Sequence, residues 1–520
     1  MLFSRAVMVV TALGAAALVG WAGPAPASGP RPGTPPAGLS RYLAQRVDWG
    51  PCPADAAELG EAGARCARID VPLDYADPGG RSIELAISRV EAKDRARRRG
   101  ILLANPGGPG GPGLEFAAAL RSTLKDVADR YDLIGFDPRF VGRSTPIHCG
   151  TAPPAPATHS RREAFEASVR NAADTARRCF EHAGNAALLP HASSRNVARD
   201  MDLIRAVLGE RKLSYYGVSY GGDLGAAYTQ MFPRRADRIV IDSVTDPALT
   251  QYENFRAAGR AQERGLDEWA SWTAQYPARY GLGSTPRQVR GTVERLAARV
   301  DRGPLPIGGR TIDAATLGLF LRQMVAHQES DPALAQAVRN LVDAAAGEDV
   351  EPVPELRMWL DLFSRPSPEL DNQFNSGNAF FCGDGGWPAG GWPADPEQHW
   401  RDAQRARDTQ PVFAATASAV FPCAFWRSGP REPGIELGNR VPLLLLQATR
   451  DNNVPYAGAV AMHRRLKGSR MVTADVRSHG VYGRGADGLT AVPCADGAVN
   501  AYLRTGTLPA ADLYCPAGGR

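Results

Sequence analysis

The feature that most constrains this chain is a repeated unit: a short, unbroken apolar run that stops at glycine or a turn residue, then an amphipathic stretch. RGILLANPGG (99–108), YDLIGFDPRFVG (131–142), DRIVIDSV (237–244) and VPLLLLQATRD (441–451) are such runs, and each reads as a buried strand. SRNVARDMDLIRAVLGERK (194–212) puts Val197, Met201, Ile204 and Leu208 on one helical face, with Gly209 suited to its end. KLSYYGVS then reads as a strand and GGDLGAAYTQMF as the helix after it. SRMVTADVRSHG (469–480) adds a late strand, and the apolar–polar alternation of RSIELAISRVEA (81–92) predicts an exposed antiparallel one. Alternation of this kind implies an α/β fold, a mostly parallel sheet with helices on both faces.

Residues 250–430 break the alternation. They are helix-rich and Trp/Pro-rich, with a small local duplication in GGWPAGGWPADP (385–396), and lie between two core strands. We read them as an inserted, mainly helical cap, flanked by the two parts of the core, 46–249 and 431–520. At the N-terminus Arg5 precedes AVMVVTALGAAALVGWAG and then APAS, which predicts a cleaved signal peptide over 1–27. A Pro/Gly-rich flexible leader over 28–45 follows, and no later stretch is long and apolar enough to span a bilayer. Stable membrane insertion is therefore not expected, and the chain reads as secreted.

The eight cysteines fit an exported protein. They allow about 105 pairings, and short loop closure favours joining sequence neighbours: Cys52–Cys66, Cys149–Cys179, Cys382–Cys423 and Cys494–Cys515. None has CxxC spacing, so no metal site or redox motif is expected. No cofactor is implied. The net charge of +5 is close to balance, without a basic block, so nucleic acid is not an expected partner. Only four of the 60 basic residues are lysines (Lys93, Lys125, Lys212, Lys467), which we read as gene composition rather than a binding function.

GVSYG (217–221) matches G-x-S-x-G between a strand and a helix. A serine there is held proud of the sheet edge at a helix N-terminus. Serine needs a base, and in this architecture an acid and then a histidine follow it in the chain. Asp451 ends the most apolar strand and His479 ends the next, so both are expected at the sheet edge that carries Ser219. His479 would act as base and Asp451 would orient it. His463 is the nearest rival base, on a stretch that looks helical and exposed. Asp475 is the rival acid, expected inside the strand that leads to His479. The glycine-rich NPGGPGGPG (105–113) follows an early strand, and Gly108, with Gly107 beside it, is expected to form an oxyanion hole with the N–H of Tyr220.

NPGGPG, FDPRFVGRS (136–144) and GVSYGG, with the late Asp451 and His479, together resemble the secreted tripeptidyl aminopeptidases of actinobacteria. These are α/β-hydrolase serine peptidases related to proline iminopeptidases. The resemblance extends over nearly the whole mature chain, through CARIDVPLDYADP (66–78), AFFCGD (379–384), PCAFW (422–426) and AYLRTGTLP (501–509). It implies a cap over the site and release of short peptides from a free N-terminus. There are departures: Phe140 stands where the family pattern has glycine, Gly222 where it usually has threonine, and ASWTAQYPARYG lacks an early cap cysteine pair. Gly222 is expected to give its helix a looser start. An exopeptidase must also bind the substrate ammonium, for which Asp384 and Asp371 are the candidates; each equally fits an ordinary solvated carboxylate. The leading expectation is a secreted serine exopeptidase acting on peptides, with tripeptides released. A carboxylesterase or lipase-like hydrolase is the alternative, and a non-catalytic binding protein on the same fold is a third.

Overall fold

The computed structural model describes residues 38–150, 158–364, 367–384, 391–484 and 491–517. The expected signal peptide and most of the leader lie outside the described residues, as does part of the GGWPAGGWP duplication.

Among the described residues there are twelve strands: β1 (Gly50–Pro51), β2 (Arg65–Pro72), β3 (Ser82–Val90), β4 (Ile101–Asn105), β5 (Asp132–Phe136), β6 (Leu213–Val218), β7 (Ala236–Asp242), β8 (Leu305–Ile307), β9 (Arg310–Ile312), β10 (Leu443–Ala448), β11 (Ser469–Ala474) and β12 (Leu513–Cys515). Ten of them form one sheet in the order β1-β2-β3-β5-β4-β6-β7-β10-β11-β12. From β5 to β12 every pairing is parallel, while β1, β2 and β3 join by antiparallel pairing.

The apolar runs are strands because both their faces are covered. Ile101 and Leu103 of β4 pack into one hydrophobic layer and Leu102 and Ala104 into the other. Leu443 and Leu445 of β10 divide from Leu444 and Leu446 in the same way. Burying each such side chain is worth about 1.5–3 kcal/mol. β3 differs from its expected exposure. It lies between β2 and β5, inside the sheet, and Leu85, Ala86 and Ile87 are all buried. Its alternating pattern registers the polar ends of the strand rather than an open face.

Between β7 and β10 the chain leaves the sheet. Helices including Gln251–Thr273, Ala314–Val325, Asp331–Ala345 and Pro368–Asp384, with the small β8–β9 hairpin, occupy this stretch. Much of it has a hydrophobic cluster of its own, from Leu266 and Trp269 to Phe413. Four disulfides join Cys52 to Cys66, Cys149 to Cys179, Cys382 to Cys423 and Cys494 to Cys515. Each is worth about 2–4 kcal/mol. The third ties the helix Pro368–Asp384 to the turn Pro422–Phe425.

Candidate active site

β6 ends at Val218 and the next helix starts at Tyr220, so Ser219 alone makes the turn. Its backbone is left-handed in φ (+59°), a strained state for a residue with a Cβ. The turn is held from below: Ser219 N–H donates to the carbonyl of Asp242 at 2.8 Å. The same Asp242 places the histidine loop. Its buried carboxylate accepts the N–H groups of Val481 (2.9 Å) and Tyr482 (2.9 Å), and Gly480 N–H donates to Ser243 Oγ at 2.8 Å. One strand end thus fixes both Ser219 and His479. Nothing in the sequence pattern of DRIVIDSV marks Asp242 for this task.

His479 Nδ1 lies 2.9 Å from Asp451 Oδ2 and 3.1 Å from Oδ1. Asp451 is 2% exposed, and its Oδ1 also accepts the N–H groups of Asn453 and Val454, each at 2.9 Å, while Gln447 Nε2 donates to its Oδ2. With these partners the carboxylate cannot rotate freely, and the ring it contacts is fixed in orientation. The rivals lie elsewhere. Asp475 is just past the end of β11 rather than within it, and binds Thr449 Oγ1 and Arg450. His463 contacts Ser469 and Asp512.

The loop after β4 lies directly over the serine turn. A Cβ on Gly107 would sit 2.4 Å from the Val218 carbonyl oxygen and 3.1 Å from Tyr220 N, so only glycine allows this approach. Gly107 was expected as an oxyanion donor beside Gly108. Its N–H is instead spent on Asn105 Oδ1 at 2.9 Å, the price of holding the loop end against β4. The N–H groups of Gly108 and Tyr220 have no partner among the described residues. The FDPR segment braces the far end of this loop: Asp137 accepts Gly113 N–H (2.8 Å) and Leu114 N–H (3.0 Å). Arg139 forms a fully buried pair with Asp200.

Ser219, His479, Gly108 and Tyr220 line one cavity of about 710 Å³, within the usual range for small-molecule sites. Its roof comes from the stretch between β7 and β10, through Phe255, Arg322 and Phe380 among others. Asp384 is on the wall. Its carboxylate accepts Ser194 N–H (2.8 Å) and Ser194 Oγ–H, and that hydroxyl also contacts Tyr220 OH (2.8 Å). Burial pushes the Asp384 carboxyl up to about 6 against these hydrogen bonds, which lower it. Asp371, the other expected ammonium partner, is not at the cavity. Its nearly buried carboxylate faces away from the cavity and accepts Cys149 N–H and Asn375 Nδ2–H, with His148 nearby. Its neighbour Asn372 clamps the loop of Phe140, with Nδ2 donating to the carbonyls of Phe140 and Ile147.

Three wall acids were not singled out from the sequence: Asp74, which pairs with Arg431, Glu432 and Asp223. Glu432 accepts Arg199 through both oxygens. Asp223 lies on the helix after Ser219 and accepts Thr245 N–H and Oγ1–H; burial pushes it up to about 7. An acid inside the otherwise apolar GGDLGAAY was the one available signal for Asp223. Gly222 proves tightly packed rather than loose. A Cβ there would meet Val244 Cγ1 at 2.8 Å and the Asp242 carbonyl at 2.9 Å, so glycine lets the helix sit down on β7.

Comparison with known proteins fits this geometry. Residues 100–307 match the α/β hydrolase fold family, and residues 391–515 match the TAP-like protein family. A tripeptidyl aminopeptidase of Streptomyces coelicolor is 36% identical over 90% of this chain and 86% of its own length. Serine protease Hip1 of Mycobacterium tuberculosis is 29% identical, covering 91% of each chain. A protein of the same organism named carboxylesterase B is 30% identical over 94% of this chain and 92% of its own. A serine at a strand-to-helix turn, a histidine–carboxylate contact and a shared cavity are what a serine hydrolase requires, and with these relatives the chain belongs to the tripeptidyl aminopeptidase family of α/β-hydrolase serine peptidases.

Proposed function

We propose that this chain is a secreted serine exopeptidase that releases short peptides, chiefly tripeptides, from free N-termini through an acyl-enzyme. The observation that carries the reading is a single cavity lined by Ser219, by His479 on its Asp451 anchor, and by the buried carboxylate of Asp384. In this reading His479 Nδ1–H donates to Asp451, which leaves Nε2 to take the Ser219 proton as Oγ attacks the substrate carbonyl. The N–H groups of Gly108 and Tyr220 receive the oxyanion. The imidazolium then protonates the departing amine, and a water activated by the same base releases the acyl group. Asp384 pairs with the substrate ammonium, which excludes blocked or internal segments. Residues 250–430 act as the cap that closes the cavity to long chains. Four disulfides support an oxidising, exported setting. Among the described residues no helix is long and apolar enough to cross a membrane.

The test compares free and N-blocked Ala-Pro-Ala p-nitroanilides. Strong preference for the free amine is expected; equal turnover would remove the exopeptidase claim. The relative named carboxylesterase B supports a second reading, ester hydrolysis by the same residues. Faster turnover of short acyl esters than of any peptide would favour it.

A further inference from the structure

The arginine of the cavity with the fewest partners is unused by this scheme. Arg322 projects from the helix Ala314–Val325 into the lining of the cavity. Of the other wall arginines, Arg199 pairs with Glu432 and Arg431 with Asp74, while Arg195 donates to the backbone carbonyls of Pro433 and Gly434. Arg322 has no acidic partner among the described residues. Its one hydrogen bond goes from Nε to the side-chain oxygen of Asn453 at 3.3 Å, and its guanidinium lies 5.3 Å from the ring centroid of Phe255. Arg322 is partly buried, and that partial burial lowers its pKa. The cavity's carboxylates serve other groups: Asp384 is the ammonium partner in this reading, Asp223 binds Thr245, Glu432 pairs with Arg199 and Asp74 with Arg431. A charge partly shielded from water and left without a counter-ion is a site that a ligand carboxylate can complete.

Its place says which part of a substrate would do so. Asn453, which holds Arg322, also donates its N–H to Asp451, the anchor of His479. The imidazolium delivers its proton to the leaving amine, so the region beside the Asp451 loop belongs to the departing fragment. We propose that Arg322, stacked on Phe255 and held by Asn453, is a carboxylate-binding residue for the leaving fragment of the peptide. A guanidinium presents two parallel N–H donors that a carboxylate accepts together, whereas an amide offers one acceptor oxygen and no charge. The carboxylate has two sources, an acidic side chain just after the cleaved bond or the C-terminus of a short leaving fragment. This rests on the serine peptidase reading of the same cavity.

The experiment measures kcat/KM on unblocked peptides in two matched pairs. Ala-Pro-Ala-Asp-NH2 against Ala-Pro-Ala-Asn-NH2 reads the side chain; Ala-Pro-Ala-Ala with a free C-terminus against its amide reads the terminus. A ratio of about tenfold or more for the charged member in at least one pair is expected, and the larger ratio identifies the source. Arg322→Gln brings that ratio to about one, and Arg322→Lys leaves it in between. Ratios are taken within one protein, so a general loss of activity in a variant does not imitate the result. The wild-type ratio stands whether or not a variant folds. Wild-type ratios of one in both pairs, or a ratio that survives in Arg322→Gln, would overturn the proposal while the peptidase reading stands. Failure to cleave any of the four peptides would overturn both.

Discussion

Phe140 tests whether packing can outweigh backbone strain. It occupies the position at which the family pattern has glycine, and its φ is +71°, a region that costs a residue with a Cβ about 1–2 kcal/mol. Yet the phenyl ring is 0% exposed, packed in the core layer that also holds Ile87, Phe136 and Ile147. Removing a buried phenyl costs about 3–5 kcal/mol. Phe140→Ala removes the ring and keeps the strain, so it loses that full amount. Phe140→Gly removes the ring and the strain together, and after the extra freedom of glycine in the unfolded chain it recovers about 1 kcal/mol. The expected order of stability is wild type, then Phe140→Gly, then Phe140→Ala, read from urea denaturation midpoints by tryptophan fluorescence. Because Phe140 does not line the cavity, kcat/KM of the folded variants should change far less than stability. A Phe140→Gly protein as stable as wild type, or less stable than Phe140→Ala, would refute the argument.

Three further outcomes are expected. Asp451→Asn retains an oxygen for the Asn453 and Val454 N–H groups but loses the acceptor that fixes the His479 tautomer. Its kcat should fall on the order of 10³–10⁴-fold with little change in melting temperature, and a loss under tenfold would contradict the assigned role. Asp384 carries a carboxyl raised to about 6, so it takes up a proton as pH falls through that value and loses its charge for the ammonium. KM for free-amine substrates should rise below about pH 6 in wild type, and this limb should vanish in Asp384→Asn, with KM already raised about tenfold or more. Asp223 is likewise raised, from 3.8 to about 7, so the folded state holds its proton more tightly than the unfolded chain. The cost of ionising it is absent at low pH and complete above about pH 7. Asp223→Asn should therefore gain about 2–3 kcal/mol more stability at pH 8 than at pH 5; equal effects at the two values would contradict this.

The parallel strands were legible because a strand covered on both faces must be apolar at every position, and runs such as LLLL in β10 have no other short reading. The exposure of β3 was not legible, because alternation reports only where polar residues lie; β3 is interior, with polar residues at the strand ends. Ser219, Asp451 and His479 could be proposed from chain order and strand ends. What brings them together could not: Asp242 acts through a carbonyl and a carboxylate on two loops more than two hundred residues apart. The same holds for Gly107, whose N–H is consumed by a side chain two residues back, and for Asp371, whose direction away from the cavity depends on helix phase over Pro368–Asp384. Arg322 and Glu432 lie in segments without a motif, and the cavity alone gives them meaning.

The most direct measurement is covalent. The protein is reacted with a fluorophosphonate, which phosphonylates an activated serine, and the adduct is located by mass spectrometry of the digested chain. The account predicts one equivalent of label, carried by Ser219, absent in Ser219→Ala and strongly reduced in His479→Ala. Label on another serine, or an undiminished yield in Ser219→Ala, would contradict it.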